Sequence, residues 1–501
     1  MTPEQQRAAK TLLRSSLSGE LRPTRELARL FTRHGYELAL VGGPVRDAFL
    51  TRPHGDLDLT TDARPEQVLE ITKEWADSTW PVGMKFGTVG LRKGGILFEI
   101  TTYRSEHYEP DSRKPDVRYE TSLGADLSRR DFTVNAMAAR LPDLEVVDPF
   151  GGLADLRDRV LRTPGRAIDS FSDDPLRILR AARFVAELGL TPTQDVTAAM
   201  AELAPRLKIV SAERIAVELE KLLRASRPGG PSAGIDLLVR TGVADQVLPE
   251  VPTMRLEVDE HHRHKDVYRH SLTVLDQAIA LEETYGLERD LKLRLAALLH
   301  DIGKPRTRSL LADGRVAFHH HDTVGAKLAR SRLRALRFRG DVIDDVAKLI
   351  GLHLRFHGFG TGDWTDSAVR RYVTDAGPLL PRLHALTRAD CTTRNRAKAE
   401  RLSRSYDALE RRITELDAQE ELARIRPDLD GNEIMALLGI APGPLVGRAH
   451  AHLLELRIEL GPLGHDRAVQ ELLDWARESG VPTAGSGPAG PSDAGEGAGL
   501  D

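Results

Sequence analysis

The spacing of apolar residues changes near residue 164. Before that point, "YELALVGG" predicts a buried strand ending at a glycine turn, and "PVRDAFL" predicts the helix that follows. The segment "FGTVGLRKGGILFEITTYR" predicts two strands joined by a tight turn. Beyond residue 164, "PLRILRAARFVAEL" and "DLKLRLAALLHDIG" space apolar residues three and four apart, which predicts helices. The pattern therefore predicts an α+β fold: a small mixed-sheet head followed by an all-α remainder.

Length and composition narrow the class of protein. A chain of 501 residues is too long for one hydrophobic core, so several domains are expected. Its 41% hydrophobic and 29% charged residues are typical of soluble globular proteins. No apolar run is long enough to span a bilayer, and the start lacks the apolar segment of a secretory signal. A single cysteine excludes an intrachain disulfide, so we expect a cytoplasmic protein.

Charge and complexity add two expectations. The net charge of −4 argues against a protein that coats nucleic acid generally, but it permits local basic patches. Residues 481–501 lack core-forming side chains and are predicted to be disordered.

The segment "GDLDLTTD" carries two acids, Asp56 and Asp58, in a predicted strand. Residues two apart in an extended segment point to the same side. Carboxylates placed this way repel each other unless a cation lies between them, and Mg²⁺ prefers such oxygen ligands. An exposed acidic turn would contain the same residues, so this segment alone leaves both interpretations open. Glu99 is either a third carboxylate or a solvent-facing strand residue.

Two further segments offer groups for phosphate and ribose. The strand–Gly-Gly–helix junction before Arg46 presents backbone N–H groups suited to phosphate, although two glycines also make an ordinary tight turn. The segment "RRDFTVNAMA" begins with Arg129, Arg130 and Asp131. Arginines suit triphosphate oxygens and an acid suits ribose hydroxyls, whereas composition alone indicates a helix start with surface charges.

The segment "SDDPLRILRAARF" also permits two interpretations. Asp174 followed by proline fits a helix N-cap and first turn. Arg177, Arg180 and Arg183 repeat on one side of the predicted helix and form a cationic stripe. Asp174 and Arg177, one turn apart, can offer an acceptor and a donor to the edge of a base.

The order of "LVGGPVRDAFL", "GDLDLTTDA", "RRDFTVNAMA", "DPFGGLADL" and "DDPLRILRAARF" resembles the bacterial CCA-adding tRNA nucleotidyltransferases. These belong, with bacterial poly(A) polymerases, to class II of the polymerase-β-like superfamily. The resemblance covers roughly Tyr36 to Leu223. It departs at Asp173, where the family usually has glutamate.

The resemblance implies a role for each matching residue. Asp56 and Asp58 would be catalytic and would hold two Mg²⁺ ions. Asp174 and Arg177 would act as a protein template that pairs with C or A. The full set implied to bind the nucleotide is Gly43, Arg46, Arg129, Arg130, Asp131, Asp174, Arg177, Arg180 and Arg183.

Histidines are concentrated in four later segments, "HKDVYRHSLTVLD", "AALLHDIGKPRTR", "FHHHDTVGA" and "GLHLRFH", followed by "TRADCTTRN". One histidine at a buried helix end is more often a core residue, but several such segments favour a metal site. Their order resembles the HD phosphohydrolase superfamily, with a divalent transition metal such as Mn²⁺ or Ni²⁺. The triple histidine ending at His321 also suits a surface loop. The ligands that the resemblance implies are His270, His300, Asp301 and Asp390, with His321 and His353 as in dinuclear members.

These segments predict six regions. They are an N-terminal helical extension (1–24), a nucleotidyltransferase head (25–164), a helical neck and RNA-binding domain (165–255), an all-α HD domain (256–400), a helical C-terminal region (401–480) and a disordered tail (481–501).

The resemblances imply template-independent addition of CCA to tRNA 3′ ends from CTP and ATP by two-metal nucleotidyl transfer. They also imply a possible HD phosphohydrolase acting on phosphorylated or cyclic RNA ends. The expected partners are tRNA, CTP and ATP, with no membrane and no obligatory protein partner. A poly(A) polymerase or an enzyme that adds only A would share these motifs. An HD phosphohydrolase with a nucleotide-sensing head, or a non-catalytic RNA-binding protein, is an alternative of another class.

Overall fold

The computed structural model describes residues 2–53, 55–80, 83–84, 87–107, 116–255, 266–312, 316–356, 365–391, 396–420 and 425–481. The chain divides into two compact units, Met1–Ala347 and Lys348–Asp501, and each is described by itself. The predicted disordered tail lies outside the described residues, apart from Val481.

A seven-stranded mixed sheet forms the centre of the head. Its strands are β1 (Leu38–Val41), β2 (Leu57–Thr61), β3 (Ser78–Trp80), β4 (Thr88–Lys93), β5 (Ile96–Thr102), β8 (Ala138–Arg140) and β9 (Glu145–Val147). Their order is β3-β4-β5-β2-β1-β8-β9, with β2 and β5 parallel and every other pair of neighbours antiparallel. Strands β6 (Arg104–His107) and β7 (Asp116–Tyr119) form a separate antiparallel pair. The predicted strand β1 and the β4–β5 hairpin are both present.

Both faces of the sheet are covered at β1, which explains its continuous apolar run. Leu38 and Leu40 enter the larger core, together with Phe98 of β5. Ala39 and Val41 point to the opposite face, where they pack in a smaller cluster with the buried residues Tyr103, Leu123, Leu127 and Ala138.

Two N-terminal helices, α1 (Pro3–Ser16) and α2 (Leu21–Arg33), pack on the larger core. Thr2 caps α1 in a reciprocal pair of hydrogen bonds with Gln5. The Gln6 side chain donates to the Val146 carbonyl at 2.7 Å and accepts from the Val146 amide at 3.1 Å. The predicted boundary of the extension at residue 24 falls inside α2, and the first helices share the core of the head.

Helices dominate the rest of the first unit. They are α3 (Gly43–Phe49), α4 (Pro65–Thr72), α5 (Leu123–Ser128), α6 (Gly152–Asp158), α7 (Ala167–Asp173), α8 (Leu176–Leu188), α9 (Gln194–Leu203), α10 (Ala212–Leu223), α11 (Gly230–Arg240), α12 (Ala244–Val247), α13 (Glu250–Thr253), α14 (Val267–Leu281), α15 (Leu291–Leu299), α16 (Lys304–Thr307), α17 (His321–Ala335) and α18 (Gly340–Leu352), which contains the division between units.

Two short strand pairs interrupt this helical region. Strand β10 (Val160–Leu161) pairs in parallel with β11 (Thr191–Pro192), and β12 (Arg308–Leu310) pairs antiparallel with β13 (Val316–Phe318). The second pair lies in the segment predicted to be entirely helical. Two or three residues are too few to show a strand period, so the sequence pattern did not reveal them.

Close packing joins the helices that follow the head. A Cβ at Gly234 of α11 would lie 2.9 Å from the Ala182 carbonyl of α8, so glycine permits the close approach of the two helices. The fully buried Arg294 of α15 pairs with Glu282 and donates to the Leu223 carbonyl at the end of α10.

The second unit is helical in its described residues, as predicted. Its helices are α19 (Asp366–Ala376), α20 (Leu380–Asp390), α21 (Arg396–Glu420), α22 (Gly431–Leu438), α23 (Pro444–Leu460) and α24 (His465–Glu478). The buried Arg370 of α19 pairs with Glu420 of α21 at 2.8 Å and donates to the Ile458 carbonyl of α23 at 3.2 Å. Among the described residues, no helix has both the length and the hydropathy to cross a bilayer.

Candidate active site

The acidic residues lie at the start of the central strand β2. Leu57 and Leu59 of this strand enter the larger core, so Asp58 points to the opposite face of the sheet. Asp56 lies in the bend directly before β2 and is exposed. Glu99 of the parallel neighbour β5 is in register with Asp58. The sheet therefore brings the third candidate carboxylate beside Asp58.

Electrostatics around Asp58 suit a bound cation. The pKa of Asp58 is raised to about 6, mainly by burial and also by the negative charges of Glu99 and Asp56, against the lowering effect of Arg130 and Arg46. These three acids supply only oxygen ligands, as Mg²⁺ prefers. Their chemistry fits a magnesium site that a bound ion and substrate would draw together.

The turn at Gly42, directly after β1, brings Arg46 and Arg130 to one side of Asp58. Gly42 follows β1 with φ +67°, a conformation that favours glycine, and a Cβ there would lie 3.3 Å from Arg130 Nη1. Gly43 begins α3, and Arg46 on this helix donates from Nη1 to Asn135 Oδ1 at 2.7 Å. Arg46 also forms a two-bond pair with Asp47, each bond 2.9 Å long.

The arginine pair of "RRDFTVNAMA" is held by a buried acid one turn earlier. Asp126 is fully buried and accepts hydrogen bonds from Arg129 at 2.7 and 3.0 Å and from Arg130 at 3.1 Å. Thr60 of β2 donates to the same carboxylate at 3.3 Å. Although burial alone would raise it, the two guanidinium groups lower the pKa of Asp126. Asp126 thus connects the arginines to the strand that carries Asp58.

The segment "RRDFTVNAMA" does not begin a helix, contrary to the alternative that composition suggested. Arg129 follows the end of α5, a single 3₁₀ turn spans Thr133–Asn135, and the chain then enters β8. Asp131 accepts from Asn135 Nδ2 at 3.0 Å, from the Phe132 amide at 2.8 Å and from Arg180 Nε at 2.8 Å. Burial opposes ionisation, but the Arg180 charge and these hydrogen bonds hold the pKa of Asp131 well below its usual range.

The predicted cationic stripe on α8 is not exposed to solvent. Arg177 and Arg183 are buried, and Arg180 is half-buried. Arg177 donates to Ser170 Oγ at 2.7 Å and to the Arg129 carbonyl at 2.6 Å. Arg183 pairs with Glu218 at 3.2 Å. The periodicity of α8 does not reveal this burial, because the partners of these arginines lie on other elements.

An aromatic ring lies among three of these guanidinium groups. The ring of Phe184 on α8 has the guanidinium carbons of Arg46, Arg180 and Arg183 at 5.4, 5.7 and 4.6 Å from its centre. Phe132 packs edge-on against it at 5.5 Å. The electron-rich faces of aromatic rings attract cations, so Phe184 stabilises arginines from two helices.

Asp174 is not the N-cap of α8. It lies between α7 and α8, and Pro175 occupies the cap position. The Asp174 carboxylate accepts from the Leu176 amide at 3.1 Å and pairs with Arg214 at 3.3 Å. Both members of the proposed base-reading pair, Asp174 and Arg177, are therefore bonded within the protein in this structure.

Three residues of this network were not among the predicted site residues: Asp126, Asn135 and Phe184. Asp126 has a sequence signal, because an acid three and four residues before two arginines faces them on a helix. Asn135 lies four residues after Asp131, a spacing that is informative only once the 3₁₀ turn is known. Phe184 has no distinguishing signal, since an aromatic residue on an amphipathic helix usually indicates core.

A second cluster in the first unit contains His270, His300, Asp301 and His321. Asp301 is buried, with His300 Nε2 at 3.2 Å, His321 Nε2 at 3.4 Å and His270 Nε2 at 3.6 Å. The Nε2 atoms of His270 and His300 are 3.3 Å apart. Lys304 Nζ lies 2.9 Å from Asp301. Within the first unit, the structure therefore brings together the four predicted HD ligands that this unit contains.

Hydrogen bonds orient these rings for metal ligation. His300 Nδ1 lies 2.9 Å from the Ala297 carbonyl, and His321 Nδ1 lies 2.8 Å from the Phe318 carbonyl. A carbonyl only accepts, so the proton is on Nδ1 and the Nε2 lone pair faces the cluster. Nitrogen and carboxylate donors of this kind fit a divalent transition metal.

The other two predicted HD ligands, His353 and Asp390, lie in the second unit. His353 is buried, with Nδ1 2.6 Å from the Ile350 carbonyl, and Asp390 is half-buried at the end of α20. Of the triple histidine, His321 is buried, whereas its two predecessors are exposed. Residues 256–265, 357 and 392–395 of the predicted HD segments lie outside the described residues.

Three family models and several known proteins match this chain. Family models match residues 38–162 (Poly A polymerase head domain), 189–254 (Probable RNA and SrmB- binding site of polymerase A) and 267–395 (HD domain). An A-adding tRNA nucleotidyltransferase of Deinococcus radiodurans is 37% identical over 452 residues, covering 88% of this chain and 96% of that protein. The chain belongs to the tRNA nucleotidyltransferase family.

Other members of the tRNA nucleotidyltransferase family also match this chain. The CCA-adding enzyme of Anoxybacillus flavithermus is 40% identical over 245 residues, which cover 48% of this chain and 59% of that enzyme. The crystal structure of the Bacillus stearothermophilus CCA-adding enzyme in complex with CTP is similar with a TM-score of 0.65 and 25% identity. That similarity covers 92% of this chain and 98% of the other.

Proposed function

We propose that this protein adds CCA to the 3′ end of tRNA, using CTP and ATP. The observation that carries the proposal is the sheet face where Asp58 and Glu99 lie in register, with the Arg46 and Arg130 charges acting on Asp58. When bound by Asp56 and Asp58, Mg²⁺ would neutralise the triphosphate and activate the RNA 3′ hydroxyl. The similarity to CCA-adding enzymes supports this choice.

The chain's own residues would position the triphosphate. Arg130 Nε is buried and has no hydrogen-bond partner among the described residues. An unpaired buried donor is costly, so an incoming phosphate oxygen would relieve that cost. We propose that Gly43, Arg46, Arg129 and Arg130 contact the triphosphate, as the family resemblance implies.

The base would be recognised on α8. Asp174 and Arg177 would exchange their contacts with Arg214 and Ser170 for the edge of C or A. Asp131, held by Arg180, would contact the ribose, and Arg183 would keep the helix in place through Glu218. This proposal predicts a rearrangement of these side chains on nucleotide binding.

The decisive experiment uses a tRNA transcript that ends before CCA. We expect CTP alone to extend it by two nucleotides and CTP with ATP to extend it by three. The Asp56→Ala/Asp58→Ala protein should extend neither, while its folding, measured by circular dichroism, is unchanged. Extension by the double variant at the wild-type rate would show that another site performs the chemistry.

A second candidate is addition of A alone. It is favoured by the A-adding tRNA nucleotidyltransferase of Deinococcus radiodurans, which matches over 96% of its length. The same transcripts separate the two candidates. Incorporation of A only after a preformed CC end, with no incorporation of C, would establish the A-adding activity.

We also propose a phosphohydrolase activity for the HD cluster, in a protein of the cytoplasm. A metal held by His270, His300, Asp301 and His321 would supply an activated hydroxide for phosphoester ends. His353 and Asp390 remain sequence-based predictions as further ligands. RNA ending in a 2′,3′-cyclic phosphate should be hydrolysed in the presence of Mn²⁺ or Ni²⁺. The His300→Ala protein should lose this activity and retain nucleotide addition.

A further inference from the structure

One row of residues crosses the sheet on the face that carries Asp58. Trp80 of β3 is in register with Gly90 of β4, Gly90 with Glu99 of β5, and Glu99 with Asp58 of β2. Val89 and Leu91, which flank Gly90, enter the core on the opposite face. Trp80 therefore stands on the same face as the acidic residues.

The glycine in this row leaves room for the indole. A Cβ at Gly90 would overlap Trp80 Nε1 and would lie only 2.6 Å from Cε2. The indole thus lies across β4, towards Glu99, instead of standing away from the edge of the sheet. Trp80 is only half-buried, so part of the ring is accessible. Because neighbouring strands are about 4.8 Å apart, Gly90 lies about 10 Å from Asp58, roughly the length of a nucleoside.

The arginines lie on the other flank of Asp58. The sheet order places β1, and the Gly42 corner against which Arg130 packs, on the side of β2 away from β5. Arg46 follows on α3. A triphosphate held by these arginines would direct its pyrophosphate towards β1. The attacking and leaving oxygens are roughly in line in phosphoryl transfer, so the 3′ hydroxyl must approach from the side of β5 and β4.

We propose that Trp80 is the stacking platform for the 3′-terminal base of the RNA primer. This rests on the proposed nucleotidyl transfer, because the direction of attack defines the primer side. Aromatic side chains bind single-stranded RNA by stacking on bases, and they tolerate any base because each has a π-face. Trp80 would therefore accept a primer that ends in C or in any other base.

The kinetic test compares Trp80→Ala, Trp80→Phe and Trp75→Phe in the full-length protein. Trp80→Ala should raise the KM for a tRNA transcript lacking CCA about tenfold and leave the KM for the nucleotide unchanged. Trp80→Phe keeps a stacking ring and should stay within about twofold. Trp75, which packs edge-on against Phe98 at 5.6 Å and adjoins the larger core, is the matched control whose substitution should alter neither KM.

A binding test does not depend on turnover. An oligoribonucleotide with the acceptor-end sequence, lacking CCA and ending in a 3′-deoxynucleotide, should quench tryptophan fluorescence. The quenching should persist in Trp75→Phe and disappear in Trp80→Phe. If Trp80→Ala does not fold, this comparison decides the question.

Two results would overturn the proposal. One is an unchanged primer KM in a folded Trp80→Ala protein, which would leave Trp80 as a cover for Gly90 alone. The other is primer binding with equal quenching in Trp80→Phe and the wild type. If the wild type adds no nucleotide at all, the proposed function fails, and the quenching experiment still decides whether Trp80 stacks on RNA.

Discussion

Asp126 is predicted to be essential for the arginine pair that faces the candidate active site. The change Asp126→Asn keeps the shape of the side chain but removes its charge. The carboxylate accepts three hydrogen bonds from Arg129 and Arg130, and it is fully buried. Asparagine can accept at one oxygen only, and its NH₂ group would face guanidinium donors.

The expected loss of stability in Asp126→Asn follows from the burial of this carboxylate. Removing one partner of a buried ion pair typically costs about 3–5 kcal/mol, because the remaining charge loses its compensation. A stable domain has only about 5–15 kcal/mol in total. We therefore expect Asp126→Asn to lower the urea midpoint of unfolding markedly and to raise the KM for the nucleotide, because the arginines are no longer held.

The pH dependence provides a second readout. The folded-state pKa of Asp126 is lowered by its arginines, so this carboxylate stabilises the protein above its unfolded-state pKa, near 4. The stabilisation is lost as the pH falls towards the lower folded-state value. The difference in unfolding free energy between wild type and Asp126→Asn should therefore be largest at neutral pH and shrink below pH about 4.

The matched control is Asp158→Asn, which removes the same charge from an exposed pair with Arg157. It should leave the urea midpoint unchanged, since exposed pairs contribute little. If Asp126→Asn is as stable as Asp158→Asn and binds nucleotide normally, the idea that a buried carboxylate organises these arginines is wrong.

Three other substitutions have distinct expected outcomes. Asp58→Asn should abolish nucleotide addition. In EDTA its free energy of unfolding should be equal to that of the wild type or slightly higher, because repulsion with the neighbouring acids is relieved. A lower free energy of unfolding would contradict this. Phe184→Leu should cost about 1–3 kcal/mol in urea unfolding and raise the nucleotide KM, since the aliphatic side chain no longer attracts three guanidinium groups; an unchanged KM would refute the second effect. Burial lowers the pKa of His384 to about 4, so the unfolded chain binds a proton that the folded protein does not. The contribution of His384 to the free energy of unfolding should therefore fall by about 3 kcal/mol from pH 7 to 4, and the His384→Phe protein should lack this part of the pH dependence.

Local pattern in the sequence predicted the parts of the head that depend on neighbours along the chain. The apolar run of β1, the Gly-Gly corner and the β4–β5 hairpin are all present, because each depends on a few adjacent residues. The burial of the α8 arginines was not predicted, since two of their partners, Asp131 and Glu218, come from other segments. The helical period of one segment does not encode its pairing with distant segments.

In the candidate sites too, features set by neighbouring residues were predictable, whereas contacts between distant segments were not. The sequence made Asp56 and Asp58 candidates because two acids in a predicted strand are unusual, and the pairing of Glu99 with Asp58 required the strand register. The order of the HD histidines made them candidate ligands, but the hydrogen bonds that orient their rings depend on helix geometry. Trp80 was not predicted as a site residue, because the glycine that accommodates its ring lies on another strand.

The two hydrogen bonds between Gln6 and Val146 have a consequence for aggregation. Strand β9 is the last strand of the sheet, and an exposed last strand offers unpaired N–H and C=O groups to other chains. The amide of Gln6 bonds to both groups of Val146, much as the peptide group of another strand would. Helix α1 therefore covers this edge of the sheet. A chain starting after α1 should associate through β9 at concentrations at which the intact protein stays monodisperse.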